Sequence, residues 1–492
     1  MNIKSFHSLL FVVLLCVWTP TYAEAQTPST AIKGRITSQG KGLANVSVTD
    51  GQTCVLTDSK GFYSIPVIDP NASFVYISTP SGYLPNDSLN IPQFYKRIDK
   101  NRPQIYNFEL NKNPKTDNRH TLLVHADPQF FKEENFNGYA LIVEDCKETI
   151  ASYEHTDVFG IDCGDLVGDK PQLYSQYINE LNKTNIPFYR VSGNHDMNYG
   201  GRSDETSTKT YNSIFGPAYY SFNRGKVHYI VLDNVFYIGR DYFYMGYITE
   251  KIFQWLEQDL AHVPKGSTVF VAMHIPARLS ETQEPFSYSN EKMGGQTLNA
   301  SALFKMLEPY NAHILTGHMH YNKNIIHSPT LYEHNTAAIC GTWWQGDYCL
   351  DGTPLGYGVY EINDDKVEWY FKSAGHPQEY QMRAYPVGQN SDFPDDITVN
   401  IWNWDKNWKV EWFENGVNSG EMTRFEGIDP KVAEMCADKD KLEFKWISPI
   451  KNEHMFRATP LSKNSTLEII ATDSFGKKYK TTIKPQKQLK NK

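Results

Sequence analysis

Residues 187–196 read PFYRVSGNHD, and this stretch decides the fold class because an apolar strand runs directly into a polar cluster. Residues 188–191 have the short apolar pattern of a buried strand, and Gly193-Asn194-His195-Asp196 follows at once. The same succession of strand and polar motif recurs at Asp127-Pro128-Gln129, Gly164-Asp165, His274 and Gly317-His318-Met319-His320. Open α/β sheets bind ligands beyond the carboxyl ends of their strands, so we expect the five motifs to meet at one edge.

Strands and helices alternate around these motifs. Apolar runs predict strands over 121–126, 158–161, 188–191, 227–232, 268–273 and 314–315. Amphipathic spacing predicts helices over 139–153, 173–181 and 249–262. This alternation is typical of an α/β layered domain, which we assign to residues 120–385.

The five motifs contain Asp, Asn, Gln and His side chains and no thiolate. Hard oxygen donors together with imidazoles suit Mn²⁺, Fe, Zn²⁺ or Mg²⁺. A pair of cations needs one bridging carboxylate and two sets of terminal ligands, and the donors suffice if Asp165 bridges. Taken one at a time, Asp127 and Asp165 can also be helix caps and Asn194 a turn residue.

The motif order D-x-H, G-D, G-N-H-D/E, H and G-H-x-H resembles that of calcineurin-like metallophosphoesterases, here as DPQ, GD, GNHD, H and GHMH. The resemblance implies a central layered β-sandwich flanked by helices, and two divalent metal ions. It implies that Asp127, Gln129, Asp165 and His320 hold the first ion, and that Asp165, Asn194, His274 and His318 hold the second. A metal-bridging hydroxide would then attack phosphorus in line, with His195 as general acid to the leaving oxygen.

Two positions depart from the family pattern. Gln129 stands where most members have His, so an amide oxygen replaces an imidazole and favours harder metals. Many members orient the catalytic His with an Asp three residues after the bridging Asp. That position is Gly168 here, and Asp169, one residue later, is the candidate for the orienting group.

Both flanks of the α/β domain have strand-like patterning. Residues 27–115 alternate apolar and polar side chains between Gly-rich turns, which predicts an N-terminal β-sandwich. The order G-x-I, G-L-x-x-V-x-V and T-D-S-K-G-x-Y within this segment resembles that of carboxypeptidase-regulatory-like domains. Residues 111–118 carry polar side chains and a Pro, which predicts a linker. Residues 386–492 return to strand patterning, which predicts a C-terminal β domain.

Residues 1–25 have the pattern of a secretory signal peptide, with Lys4 before an apolar run over 9–18 and small residues near position 23. The run is too short for a transmembrane helix, so we expect an exported protein, periplasmic or extracellular, with no transmembrane segment. Six further cysteines are scattered along the chain, and two readings stay open for Cys340 and Cys349. Export permits a disulfide between them, and small buried apolar side chains fit equally well.

The chain has 492 residues, 40% hydrophobic composition and a net charge of −8. These values exclude wholesale disorder and argue against a nucleic-acid complex. Hydrolysis of small-molecule, glycan or lipid phosphate esters is the preferred function. The alternative is an exported binding or surface module whose phosphoesterase site is degenerate and inactive, which Gln129 and the flanking β regions motivate.

Several other residues are candidates for the rim of the site. Asp233-Asn234 ends a predicted strand, and Tyr199 and Arg202 follow the GNHD motif in a Gly-rich loop. Residues 276–299 form a long polar stretch that can act as a lid. Four tryptophans can stack on a sugar or base and fit a core equally well: Trp343, Trp344, Trp402 and Trp404.

Overall fold

The computed structural model of the chain describes residues 31–66, 69–102, 104–198, 200–239, 243–281 and 289–485. The signal peptide expected over 1–25 lies outside these residues, as do Tyr199 and residues 282–288 of the candidate lid. None of the helices within the described ranges combines the length and apolar character needed to cross a membrane.

The N-terminal region consists of short strands, as its patterning predicts. They are β1 (Ile32–Ser38), β2 (Lys41–Gly42), β3 (Ser47–Thr49), β4 (Cys54–Leu56), β5 (Phe62–Ile65), β6 (Phe74–Ile77), β7 (Tyr83–Leu84), β8 (Asp87–Ser88), β9 (Ile91–Pro92), β10 (Tyr95–Arg97), β11 (Phe108–Glu109) and β12 (Asn111–Lys112). β1 pairs with β2, β5 and β11, and a second sheet has the order β10-β6-β3-β4. β12 pairs with β7, so the linker predicted over 111–118 is wrong at its start, because backbone pairing does not require apolar side chains.

The central region carries thirteen strands and seven α-helices among its described residues. The strands are β13 (Arg119–His125), β14 (Asp157–Asp162), β15 (Phe188–Arg190), β16 (Tyr220–Arg224), β17 (Val227–Val231), β18 (Val235–Gly239), β19 (Phe243–Gly246), β20 (Thr268–Ala272), β21 (Asn311–Thr316), β22 (Lys323–Ser328), β23 (Leu331–Asn335), β24 (Gly356–Asn363) and β25 (Lys366–Ser373). The helices are α1 (Asn135–Ser152), α2 (Tyr174–Leu181), α3 (Asp204–Ser207), α4 (Lys209–Phe215), α5 (Glu250–Leu260), α6 (Asn290–Gly295) and α7 (Ala300–Leu307).

Two mixed sheets form the centre of this region. One has the order β15-β14-β13-β24-β25 and the other β16-β17-β20-β21-β23-β22. Their inner faces share one core, in which the rings of Phe159 and Tyr229 meet edge to face with centroids 5.2 Å apart. α1 and α2 pack on the outer face of the first sheet, and α5 and α7 contribute to the core of the second. The central β-sandwich flanked by helices is therefore present as predicted.

Burial on both faces explains the composition of the inner strands. In β13, Leu122 and Val124 face the second sheet while Leu123 faces α1, and all three are fully buried. A strand covered on both faces needs a continuous apolar run rather than alternation. The run ends at Asp127, where the chain leaves the sheet.

The C-terminal region packs two sheets around a core of its own. Its elements are β26 (Arg383–Tyr385), β27 (Ile397–Asn400), β28 (Lys409–Glu414), β29 (Val417–Glu421), β30 (Thr423–Ile428), α8 (Pro430–Ala437), β31 (Lys451–Ala458), β32 (Leu467–Thr472) and β33 (Lys478–Ile483). The sheet orders are β26-β27-β31-β30 and β29-β28-β32-β33. Ile397, Val399 and Ile469 lie in the core between them.

The structure decides between a disulfide and two buried thiols for Cys340 and Cys349. Cys340 and Cys349 are both free and fully buried, and the Cys349 thiol donates to the Ala338 carbonyl at 3.3 Å. The disulfide considered for this pair is therefore absent, and both residues act as small core side chains.

A buried histidine should make the stability of the fold depend on pH. The His313 ring in β21 stacks between Phe270 and Tyr332, and burial lowers its pKa to about 3. An unfolded His titrates near 6.5, so the stability is fully present above about pH 6.5 and is lost progressively below it. The free energy of unfolding of His313→Phe should therefore fall less steeply than that of wild type from about pH 7 to about pH 5.

Urea denaturation at a series of pH values measures these slopes. The matched control is His155→Phe, because the His155 side chain is 92% exposed and its replacement should leave the slope unchanged. Parallel slopes for His313→Phe and wild type would contradict the lowered pKa, because they would mean that His313 binds protons equally in the folded and unfolded states.

Candidate metal centre

The five polar motifs meet at one end of the β-sandwich, beyond the strands of both central sheets. Each motif follows the carboxyl end of a parallel strand: β13, β14 and β15 in the first sheet, and β20 and β21 in the second. Nearest-neighbour pairing within each sheet fixes these ends side by side. The expectation that ligands gather beyond the strand ends agrees with this placement.

The Asp165 carboxylate lies at the centre of the site and is 2% exposed. Its Oδ1 accepts the backbone N–H of His195 at 2.8 Å. Its Oδ2 lies 3.3 Å from His274 Nε2 and 3.4 Å from Gln129 Nε2. One carboxylate therefore contacts residues that come from three other strand ends.

Three further side chains converge beside Asp165. His274 Nε2 lies 3.0 Å from Asn194 Oδ1 and 3.2 Å from His318 Nδ1. Ligand atoms of Asp165, His274 and His318 all lie within 4.8 Å of one another. Two imidazole nitrogens and two oxygens directed at one point form a donor set that suits a divalent cation.

Asp127, Gln129 and His320 form the other half of the site. His320 Nε2 lies 3.7 Å from Asp127 Oδ1, and Asp127 accepts the His318 backbone N–H at 2.8 Å. The Gln129 amide presents its nitrogen to Asp165, so a half-turn of the amide would present Oε1, the atom a cation requires. The structure thus brings together all seven side chains predicted to bind metal.

Backbone carbonyls fix which nitrogen each imidazole presents. His274 Nδ1 lies 2.8 Å from the Cys163 carbonyl, and His320 Nδ1 lies 2.8 Å from that of Gly341. A ring nitrogen that faces a carbonyl carries the proton, which leaves Nε2 of each ring as the lone-pair donor.

Burial and the neighbouring charges shift the pKa values of the candidate ligands. Burial raises the pKa of Asp127, and the neighbouring Asp165 charge adds to this rise while His274 opposes it. Burial would also raise the pKa of Asp165, but the charges of His274 and His195 outweigh it and hold that pKa below its ordinary value. Burial would lower the pKa of His274, but the Asp165 charge raises it to about 9, so a cation would have to displace the proton on His274 Nε2 in order to bind there. His318 and His320 have their pKa lowered by burial, which keeps them neutral, as metal ligation requires. The residues present therefore fit divalent cations.

His195 points beside the ligand cluster and is 28% exposed, with its Nδ1 2.7 Å from Asp169 Oδ1. Burial alone would lower its pKa, but the Asp165 charge and the Asp169 hydrogen bond raise it to about 9. His195 therefore carries a proton at neutral pH, and its Nε2 edge remains available.

Backbone strain is concentrated at the site. Six of the predicted residues have a left-handed backbone, with φ of 50° at Asp127, 39° at Gln129, 52° at Asp165, 60° at Asp169, 73° at His318 and 53° at His320. Such a conformation costs on the order of 1–3 kcal/mol at a residue other than Gly. At each of these residues the left-handed backbone turns the chain sharply away from the preceding strand and directs the side chain into the site.

Two motif glycines are required by close approach. A Cβ at Gly193 would lie 2.2 Å from the Asp165 backbone nitrogen, and one at Gly317 would lie 2.5 Å from Asp127 Oδ2. Either methyl group would displace a candidate ligand. The glycines of GNHD and GHMH therefore allow the motif backbones to pack against the carboxylates.

Two supporting residues, Asp196 and Asn234, were missed or left open by the sequence. Asp196 accepts hydrogen bonds from the backbone N–H groups of Gly193 and Leu166 and from the Tyr174 hydroxyl. Asn234 accepts the His274 backbone N–H at 3.2 Å, so it positions that strand end rather than lining the cleft. Asp196 belongs to the GNHD motif and Asn234 follows the end of β17, but the groups that they contact are set by the fold.

Other rim candidates are placed less centrally. Arg202 is exposed, and Trp402 is fully buried in the core. Trp344 stacks on Phe130 and donates its indole N–H to the Pro128 carbonyl at 2.9 Å, so it supports the first motif from behind. Trp343 stacks directly on the His320 ring.

Comparison with known families gives matches along most of the chain. The family model "N terminal of Calcineurin-like phosphoesterase" matches residues 30–113, "Calcineurin-like phosphoesterase" matches 120–322, and "C terminal of Calcineurin-like phosphoesterase" matches 333–479. The resemblance inferred from the motifs is thereby confirmed. No curated protein matches the sequence significantly.

Several solved structures are similar to parts of the chain at low identity. A dimetal phosphatase from Danio rerio is 14% identical, with 52% of this chain and 96% of that chain covered and a TM-score of 0.37. A purple acid phosphatase from yellow lupin seeds is 12% identical, with 68% of each chain covered and a TM-score of 0.38. A 5'-nucleotidase from Candida albicans is 12% identical, with 54% and 53% covered and a TM-score of 0.33.

The hydrogen bonds that Asp196 accepts should be essential for stability, whereas the negative charge of Asp196 should not be. Asp196→Ala would leave two buried N–H groups and the Tyr174 hydroxyl without a partner, and should lower the free energy of unfolding by about 3 kcal/mol. Asp196→Asn keeps an oxygen for the N–H groups and presents NH₂ to the hydroxyl, so its loss should be below about 1 kcal/mol. Chemical denaturation of both variants measures the difference, and equal losses would contradict the bracing role.

Proposed function

The chain belongs to the calcineurin-like phosphoesterase family, and we propose that it hydrolyses phosphate esters with two divalent cations. The observation that supports this most strongly is the convergence of Asp165, His274 and His318 ligand atoms within 4.8 Å of one another. Gln129, from the second group of donors, also contacts the Asp165 carboxylate, at 3.4 Å. A carboxylate shared between two groups of donors is what dinuclear hydrolysis would use.

Asp165 is the residue that would join the two cation positions. Asp127, Gln129 and His320 would complete the first set of ligands, and Asn194, His274 and His318 the second. The Asp165 Oδ2 atom lies between Gln129 and His274, one residue from each set. Bound divalent cations would supply Lewis acidity to the phosphoryl oxygens and lower the pKa of an attacking water.

His195 would deliver the proton to the leaving oxygen. It is partly exposed beside the ligands, and its raised pKa keeps the imidazolium form that a general acid requires. Asp169 accepts from Nδ1 and so orients the ring, with Nε2 directed away from Asp169. Asp169 is thus proposed as a positioning residue, in the place where family members carry Asp one residue earlier.

The site of action is proposed to be the exported space. Support comes from the signal-peptide pattern of residues 1–25. The substrate is proposed to be a small-molecule, glycan or lipid phosphate ester, since the net charge of −8 does not favour a polyanionic nucleic acid.

Metal stoichiometry tests the dinuclear site directly. Wild type equilibrated with Mn²⁺ should hold about two ions per chain, and His318→Ala about one. Asp165→Ala removes the shared ligand and should lose both ions. Elemental analysis after desalting measures the content, and His155→Ala is the matched control because the His155 side chain is exposed.

Fewer than one ion per wild-type chain at saturating Mn²⁺ would favour the alternative function, an inactive binding module. Two ions retained by Asp165→Ala would contradict the bridging role while leaving metal binding intact.

The general-acid role of His195 should show in the leaving-group dependence. His195→Ala should lower kcat about 10²- to 10⁴-fold for alkyl phosphates, whose leaving oxygen needs a proton. The loss should be much smaller for p-nitrophenyl phosphate, whose leaving group departs as an anion. Steady-state kinetics with Mn²⁺ on both substrates measures the difference, and equal losses would assign His195 to substrate binding instead.

A further inference from the structure

A row of aromatic rings leads from the metal centre to the surface. The His320 ring stacks on Trp343 with centroids 4.1 Å apart, and Trp446 meets Trp343 edge-on at 4.5 Å. Phe444 stacks on Trp446 at 5.9 Å and contacts Phe131, which follows the first motif, at 5.6 Å. We call these four residues, Phe131, Trp343, Phe444 and Trp446, the aromatic row.

The outer ring of the row is open to solvent. Trp446 is 62% exposed, whereas Trp255, Trp369 and Trp402 are at most 8% exposed. Covering this indole surface with a ligand would remove apolar area from water, which is favourable. Its position two ring contacts away from a candidate metal ligand places this surface at the metal centre.

The exposure of Trp446 does not result from a loose segment. The next residue, Ile447, is fully buried, and Leu442 on the other side is 4% exposed, both in one apolar cluster with α8. Glu443 forms an ion pair with Lys132 at 2.6 Å, and the Phe444 backbone N–H donates to Gln345 Oε1 at 3.0 Å. The segment is therefore held on both sides, with Trp446 presented outward.

The metal centre itself selects only the phosphoryl group. All its donors are carboxylate, amide or imidazole groups that would hold cations, so they do not discriminate between organic groups on the ester. Such discrimination requires side chains at the rim. The aromatic row supplies a flat apolar surface there, and planar rings stack on indole faces more favourably than flexible chains pack on them.

We propose that Trp446, supported by Trp343, is a specificity-determining residue that stacks on a planar ring in the organic group of the phosphate ester. This inference rests on the proposed phosphoesterase function and narrows its substrate class to esters that carry a flat, unsaturated ring. The C-terminal region therefore contributes to the binding site as well as to the fold.

Binding of inert phosphonates to the full chain loaded with Mn²⁺ tests the proposal without relying on turnover. Calorimetry should show that wild type binds phenylphosphonate about tenfold more tightly than propylphosphonate. Trp446→Ala should abolish this preference, so that the two affinities become equal, and Trp446→Phe should restore part of it. Leu461→Ala is the matched control, since Leu461 is a 96% exposed apolar residue of the C-terminal region outside the row.

Equal affinities of wild type for the two phosphonates would overturn the proposal, and so would a preference that survives in Trp446→Ala. Hydrolysis of p-nitrophenyl phosphate, measured in parallel, separates this outcome from failure of the proposed function. Active enzyme without ring preference overturns the inference alone. Ring-selective binding without any hydrolysis supports the inference and overturns the proposed reaction, and absence of both overturns both.

Discussion

The contact between the Asp165 carboxylate and its neighbours is the constraint on which the site depends. Its oxygens reach His195, His274 and Gln129 at 2.8–3.4 Å, and these residues follow three other strands in two sheets. Such short distances hold only if the two sheets keep a fixed relative position. The shared apolar core between the sheets and the helices on their outer faces provide that rigidity.

The site has an energetic cost that the rest of the fold must offset. Six left-handed residues and two buried carboxylates are gathered in one place, and each is unfavourable by itself. Hydrogen bonds from backbone N–H groups to Asp127 and Asp165 recover part of this energy. Bound cations would recover more, so metal loading is expected to stabilise the folded chain.

The flanking regions are joined to the central region through buried polar contacts. On the N-terminal side, Arg190 donates to the Asn90 carbonyl at 3.1 Å. On the C-terminal side, Asp351 accepts the Asn322 backbone N–H at 2.9 Å and lies 3.2 Å from His454. Asn322 is two residues after His320, so the C-terminal region supports the chain that carries a candidate ligand. The division of the chain into three domains at residues 115 and 386 stays a prediction. The contacts above show that the three regions pack against one another.

The sequence by itself determined the α/β class and the seven candidate ligands, because strand periodicity and short polar motifs are local properties of the chain. It also identified Asp169, whose place one residue late was tolerated because only its carboxylate must reach His195. The tertiary structure alone decided the pairing of β24 with β13, the bracing by Asp196 and the stacking of Trp343 on His320. These contacts join residues whose meeting depends on how the sheets and loops pack, and no local pattern encodes that packing.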